Sequence, residues 1–181
     1  MTSPSPYALR RAEADDVPAL VALRREAEQW LAERGIEQWT AKWTTVGAEK
    51  LERATRQGRA WVLEDAGEVV ATVTLGGPDE DLWRVEDGPA LYLYKLMVAR
   101  SHGGRGIGEL LIEWACDQAA RYGYPVLRLD IWPNNHGLGV YYESAGFRHV
   151  RTVDVPGRDT GRLYERPAAH ASPARLAELS Q

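Results

Sequence analysis

The chain is poor in sulfur and in phenylalanine: its 181 residues include a single cysteine, two methionines and one phenylalanine. With Cys116 alone, no internal disulfide can form, and a metal site built on paired cysteines is excluded. No apolar run approaches the ~20 residues needed to cross a bilayer, and Met1 to Tyr7 offers neither the basic start nor the apolar stretch of a secretory signal. A cytoplasmic location is therefore expected. Blocks of like charge are missing too. With 26 acidic against 22 basic residues and a net charge of −4, the chain has no basic arm suited to DNA or RNA. His102, His136 and His149 are scattered without the spacing of metal ligands, so no metal is expected. No internal repeat is present.

What the chain does contain is the composition of a folded protein, 44% hydrophobic and 27% charged, in a length that fits one domain. Residues 1–167 are read as that domain and 168–181 as a tail, mobile or docked as a helix, with only Leu176 and Leu179 to offer a core. Tryptophan is over-represented, with seven copies, and Trp30, Trp39, Trp43, Trp61 and Trp83 all precede residue 90.

A first strand is expected over Tyr7 to Ala12. Asp15 and Asp16 then cap a helix that begins at Val17-Pro18, carries Leu20, Leu23, Ala27, Trp30 and Leu31 at helical spacing, and ends at Gly35. Gly47 to Arg56 reads as a short helix. Arg59 to Glu64 and Glu68 to Leu75 read as strands of a hairpin turned at Asp65-Ala66-Gly67. Gly76 to Pro89 reads as a loop in which Leu82 and Trp83 are out of place unless packed. Leu91 to Val98 is an almost unbroken apolar and aromatic run, as in a central strand covered on both faces. Ile107, Leu110, Leu111, Trp114, Ala115, Gln118, Ala119 and Tyr122 define the clearest helix, closed by Gly123. Val126 to Ile131 returns as a strand, and strand, turn, helix, strand makes a parallel crossover. Leu138, Tyr141, Tyr142 and Ala145 mark a short helix closed by Gly146, and Phe147 to Val155 and Gly161 to Glu165 complete the strands.

The turn Gly103-Gly104-Arg105-Gly106-Ile107-Gly108 lies between a buried strand and a helix start, where free amides and the helix dipole favour an anion. Glycines let the backbone close on phosphate oxygens and adopt positive φ. No Gly-Lys-Ser/Thr follows at the Walker interval, and the spacing is not G-x-G-x-x-G, which weakens ATPase and dinucleotide readings. A turn that merely lets helix and sheet pack closely remains the alternative.

Leu96-Met97-Val98, the Gly103 to Gly108 loop, Asn135 and the run Val140-Tyr141-Tyr142-Glu143-Ser144-Ala145-Gly146-Phe147 together resemble the GNAT N-acetyltransferases in order and spacing. The resemblance covers Leu91 to Phe147 well and Tyr7 to Leu75 only as a compatible order of elements. It implies an α/β (α+β) fold with a mixed, mostly antiparallel sheet of six or seven strands, a splayed parallel pair and helices on both faces. It implies acetyl-CoA as co-substrate, with His102, Gly103, Gly104, Arg105, Gly106, Ile107 and Gly108 at the pyrophosphate. The pantetheine arm would lie between Leu91 to Val98 and Val126 to Ile131, with a backbone amide such as that of Val98 on the thioester carbonyl. By the same resemblance Tyr142 protonates the departing thiolate, and Asn135 bonds near the pantetheine or caps the following helix. Against these roles stand the bland ones, a core aromatic for Tyr142 and a cap for Asn135, with Tyr141 as the decoy.

The loop departs from the family pattern at Gly103, usually Gln or Arg. The strand Leu91 to Val98 offers Tyr92, Tyr94 and Lys95 where many relatives carry a glutamate base. Asp130 is the first candidate for that base, though it reads equally as a carboxylate tying down a turn; Glu26, Glu33, Glu37 or a water chain follow. The family usually shapes its acceptor site after the first strand, here Trp30, Trp39 and Trp43, which serve either as acceptor walls or as core and interface residues. A small or amino-acid-like primary amine is the expected acceptor, a peptide or protein amine the second choice, and a non-catalytic acyl-CoA sensor the rival class. A homodimer through tryptophan-rich surface stays open.

Overall fold

The structure, a computed structural model, describes residues 7–36, 38–39, 41–158 and 160–180, the side chains of 41–43 and 180 excepted. In chain order its elements are β1 (Tyr7–Arg11), α1 (Val17–Ala32), α2 (Ala41–Arg56), β2 (Ala60–Asp65), β3 (Glu68–Gly76), β4 (Leu91–Val98), α3 (Ile107–Arg121), β5 (Val126–Ile131), α4 (His136–Ser144), β6 (Arg148–Thr152), β7 (Arg162–Pro167), α5 (Pro173–Leu176) and β8 (Leu179–Ser180). The strands form one sheet in the order β6-β7-β5-β4-β3-β2-β1-β8. β4 and β5 are parallel neighbours in its middle, and the other pairs among β1 to β7 are antiparallel. This is the mixed sheet that the sequence predicts.

Alternation along the strands sends their side chains to different layers. Leu63, Val73, Leu93 and Leu129 join Leu110, Leu111, Trp114 and Ala115 of α3 in one core. Val62 and Met97 join Leu20, Leu23, Leu51 and Ala54 of α1 and α2 in another. The β2–β3 hairpin turns through Ala66 at φ 51° and Gly67 at φ 85°, the paired positive φ of a type I′ turn.

One local reading changes and two are resolved. α2 starts at Ala41 rather than at Gly47, because Gly47 is not a helix start but a contact point: a Cβ there would lie 2.8 Å from the Arg24 guanidinium carbon. Between β3 and β4, Leu82 and Trp83 are buried against Ala90, Tyr92 and Leu163. That loop is tied to the sheet by Arg151, which donates to both Asp87 carboxylate oxygens at 2.7 Å, and by Arg128, which donates to the Gly88 carbonyl at 2.9 Å. The tail docks. Leu179 is buried and β8 runs parallel to β1, while the buried Asp117 of α3 accepts from the Ala171 amide at 3.2 Å. Among the described residues no helix is long and apolar enough to cross a membrane.

Candidate active site

The β4–β5 pair is hydrogen-bonded only at its start, where Leu91 faces Leu127 and Tyr92 faces Arg128. Beyond that point β5 stays with β7 as far as Ile131, and β4 stays with β3 as far as Val98. The strands therefore part, and a cavity of about 1510 Å³ opens between them and runs to α1, α2 and the start of α3. A bulge helps to part them. Opposite β3 the register slips between Thr72 and Thr74, and Lys95 sits at φ 50°, an uncommon conformation for a residue with a Cβ.

Parting the strands leaves backbone groups without partners. The Ala99 amide donates to the Val70 carbonyl at 2.8 Å. Successive amides of a strand point to opposite sides, so the amide of Val98 turns away from β3 to the side that β5 has left. Leu96, Met97 and Val98 all line the cavity, and the Met97 side chain also reaches the α1–α2 core.

At the far end of β4 the chain makes one 3₁₀ turn, Arg100–His102, and enters the glycine loop. Gly104 at φ 75° and Gly106 at φ 73° adopt the left-handed conformation, and a Cβ on either would meet nothing within 4 Å. Among the described residues the amides of 104–109 bond to no acceptor, since the first bond of α3 is from Leu110 to the Gly106 carbonyl at 3.0 Å. The result is a row of free donors with open space before it, a cradle for an anion at the positive end of a helix dipole. Gly103, Gly104, Gly106, Ile107 and Gly108 line the cavity. His102 lines it too, but its Nε2 lies 3.1 Å from Asp65 Oδ2. Arg105 is absent from the lining and its guanidinium lies 3.8 Å from the same carboxylate, so the charge expected in the cradle turns toward the β2–β3 hairpin.

Tyr142 is buried yet lines the cavity. Its ring packs edge-on against Tyr141 and Phe147, and burial pushes its hydroxyl well above the usual phenol value, followed by Tyr141 and Asp130. Its hydroxyl makes no hydrogen bond to any described residue. Tyr141 reaches instead over the start of α3: a Cβ on Gly108 would lie 2.2 Å from its Oη. Asn135 caps α4, its Oδ1 accepting from the Leu138 amide at 3.0 Å while its Nδ2 donates to Gln38 Oε1 at 2.7 Å. Asn135 thus lines the cavity as a tie between α4 and the α1–α2 connection.

Asp130, at the end of β5, accepts from the Thr160 hydroxyl at 2.6 Å and lines the cavity. Burial raises its pKa and Asp79 adds to the rise; Thr160, Arg158 and Lys95 oppose it. The tie to a turn is present as the Thr160 bond, and the same residue lies in the cavity lining. The other carboxylates are placed elsewhere: Glu26 accepts from the Arg100 amide at 2.9 Å, Glu33 accepts from Gln29 at 3.0 Å away from the cavity, and Glu37 lies outside the described residues. Trp30 and Trp39 line the cavity, each with a ring face taken by the protein's own guanidinium groups. Arg34 and Arg100 lie 4.1 and 4.4 Å from the Trp30 ring, and Arg24 lies 4.0 Å from that of Trp39. Trp43 is in the first turn of α2, and its side chain is outside the described residues.

Residues 22–147 match the model of the acetyltransferase (GNAT) family. The chain belongs to this family. It is 26% identical over 142 residues to the N-acetyltransferase YesJ of Bacillus subtilis strain 168, which covers 75% of this chain and 78% of that protein. In fold it is similar to a GNAT-family acetyltransferase from Listeria monocytogenes, with a TM-score of 0.74 and 24% identity over 89% of this chain and 94% of that one. It is also similar to the PaiA N-acetyltransferase of Thermoplasma acidophilum in complex with coenzyme A, with a TM-score of 0.65 and 19% identity over 89% and 98% of the respective chains.

Two features of this GNAT site escape sequence reasoning. Thr74 lines the cavity, and its buried Oγ1 has no partner among the described residues. Arg24, Lys50, Arg59 and Lys95 also line the cavity. Lys95 is the one with a visible signal, a lone cation in an apolar strand run. The rest are gathered from separate elements.

Proposed function

We propose that this protein transfers the acetyl group of acetyl-CoA to the primary amine of a small acceptor, by direct attack with donor and acceptor bound together. One observation carries the reading: Gly104 and residues 106–109 with their free amides, Val98 with its free-facing amide and Tyr142 with its unpartnered hydroxyl all line one cavity. The residues present fit coenzyme A, since the open glycine cradle suits a diphosphate and the parted β4 edge suits an extended amide chain. A structural neighbour is a complex with coenzyme A, which supports the same choice.

When bound, acetyl-CoA supplies an acyl carbon already activated as a thioester. The Val98 amide is the donor for the acyl oxygen as charge develops there. Tyr142, held protonated far above neutral pH by its burial, has a proton to give to the departing sulfur. Asp130 takes a proton from the amine, and its raised pKa makes it a stronger base than an ordinary carboxylate. Such a base is required because an amine of pKa ~10.4 is mostly protonated at pH 7 and only the neutral form attacks.

The test is thiol release from acetyl-CoA with a panel of amines, comparing the wild type with Tyr142→Phe, beside calorimetry with CoA and with ATP. Loss of turnover by about 10²-fold or more with CoA affinity retained is the expected result. CoA binding without any amine-stimulated turnover in the wild type would mark a sensor, and preference for ATP would overturn the cofactor.

A further inference from the structure

The end of the cavity remote from the glycine cradle is lined by cations from separate elements: Arg24 of α1, Lys50 of α2, Arg59 before β2 and Lys95 of β4. Part of this charge is already matched. Arg24 is paired with Glu28 at 2.6 Å, and Arg158 with Asp79 and Asp81. Arg59 donates through Nε to the neutral side chain of Gln57 at 3.0 Å. Lys50, Lys95 and Arg59 have no salt bridge to any described residue; Asp79 and Glu109 also line the cavity, but Asp79 is paired with Arg158 and Glu109 lies at the start of α3, so the carboxylate that acts on Lys95 is Asp130.

These charges sense one another. Burial pulls the Lys95 ammonium down to about 8, and Lys50, Arg24 and Arg59 push it further in the same direction, with Asp130 opposing them. Lys95 sits at φ 50°, an uncommon conformation for a residue with a Cβ, and such a bulge re-aims the side chain it carries. Across the β3–β4 pairing lies Thr74, whose buried hydroxyl has no partner among the described residues. Cations that repel one another share a need, and an anion with hydrogen-bonding oxygens meets it.

Resting on the acetyl-transfer reading, we infer that the acceptor is an amine that also bears a carboxylate, gripped by Lys95, Lys50 and Arg59 while its amine faces Asp130. A polyamine is disfavoured, since each further ammonium would face the same cations. A phosphate-bearing amine is the nearest competitor in charge. The carboxylate is favoured because the donors here are ammonium, guanidinium and hydroxyl groups on side chains, without the row of backbone amides that the glycine loop offers to phosphate.

The test sets α- and ω-amino acids beside their amides and their decarboxylated amines, with phosphoethanolamine as the phosphate arm, and compares kcat/KM in the wild type and Lys50→Gln. Lys50 is an exposed helical position, and thermal melting checks that the variant is folded. The carboxylates are expected to exceed their amides and amines by at least about 10-fold, and Lys50→Gln is expected to remove most of that preference. Calorimetry of N-acetylglycine and N-acetyl-β-alanine, with their amides, on the CoA-loaded protein asks the same question without turnover. Carboxylate binding weakened by Lys50→Gln, with no acetylation of any amine, would uphold the anionic site and sink the transfer reading. Turnover of amides or plain amines as good as that of carboxylates, or a preference for phosphoethanolamine, would overturn the inference and leave acetyl transfer standing.

Discussion

Gly108 and Tyr141 offer a quantitative test of how the cradle is shaped. A Cβ at residue 108 would lie 2.2 Å from Tyr141 Oη and 3.4 Å from its Cζ. The first separation is more than 1 Å inside ordinary van der Waals contact, and the second is close to it. Gly108→Ala must therefore displace the Tyr141 ring, which packs edge-on against Tyr142 at 5.3 Å between centroids. Overpacking of this kind costs about 1–3 kcal/mol, which for a chain of this length is a fall in Tm of roughly 3–10 °C. Tyr141→Phe removes the clashing oxygen and leaves the tolerable carbon contact. The double variant should recover most of the loss, a coupling of about 1–2 kcal/mol in a double-mutant cycle followed by thermal melting. CoA titration of the same set should follow the same order, weakest in Gly108→Ala alone, because the displaced ring lies over the free amides. A silent Gly108→Ala, or effects that add within about 0.5 kcal/mol, would refute the placement of Tyr141 over the start of α3.

Three further outcomes are expected. The Arg151 guanidinium beside Asp87 holds its carboxyl at about 2, below the ordinary 3.8; this stability is present above the unfolded value and is lost as pH falls toward the folded one, so Asp87→Asn should cost about 2 kcal/mol at pH 7 and clearly less at pH 3, as urea melts will show. Asn135→Ala loses the α4 cap and strands a buried Gln38 side chain, costing about 2–3 kcal/mol, whereas Asn135→Asp keeps the cap and should fall between that variant and the wild type in the same melts. Binding of N-acetyl-β-alanine to the CoA-loaded protein should weaken as pH climbs past about 8, where Lys95, facing Lys50, Arg24, Arg59 and Asp130, gives up its proton; calorimetry across pH 7 to 9.5 should show this slope flattened in Lys95→Met.

The sequence reveals most where a signal is local and periodic. The α3 pattern, the apolar β4 run and the turn of the β2–β3 hairpin are each legible because a short window holds everything that determines them. Gly47 misleads for the opposite reason: its role as a landing site for Arg24 depends on a partner 23 residues away in sequence, and the glycine alone looks like a helix boundary. The packing of Leu82 and Trp83 is flagged as an oddity in a loop, yet its solution needs Arg128, Arg151 and Leu163, which arrive from other strands. The candidate site divides in the same way. Its glycine loop and Tyr142 sit in motifs, while Thr74 and the cations around Lys95 become a group only when the sheet assembles.

This division has a physical consequence for how such a site can change. The cradle is made of backbone amides, free because of where a helix starts and where strands part, so a side-chain substitution there acts chiefly by blocking space or altering φ. The opposite end is made of side chains carried by α1, α2, β3 and β4, and each can be replaced without moving the strands. Charge at that end can be exchanged while the donor end keeps its geometry. β4 joins the two, since its bulge aims Lys95 at one end and, three residues later, leaves the Val98 amide facing the gap. A register change in β4 would therefore move both functions together, whereas the charge of Lys50 can vary with the donor site intact.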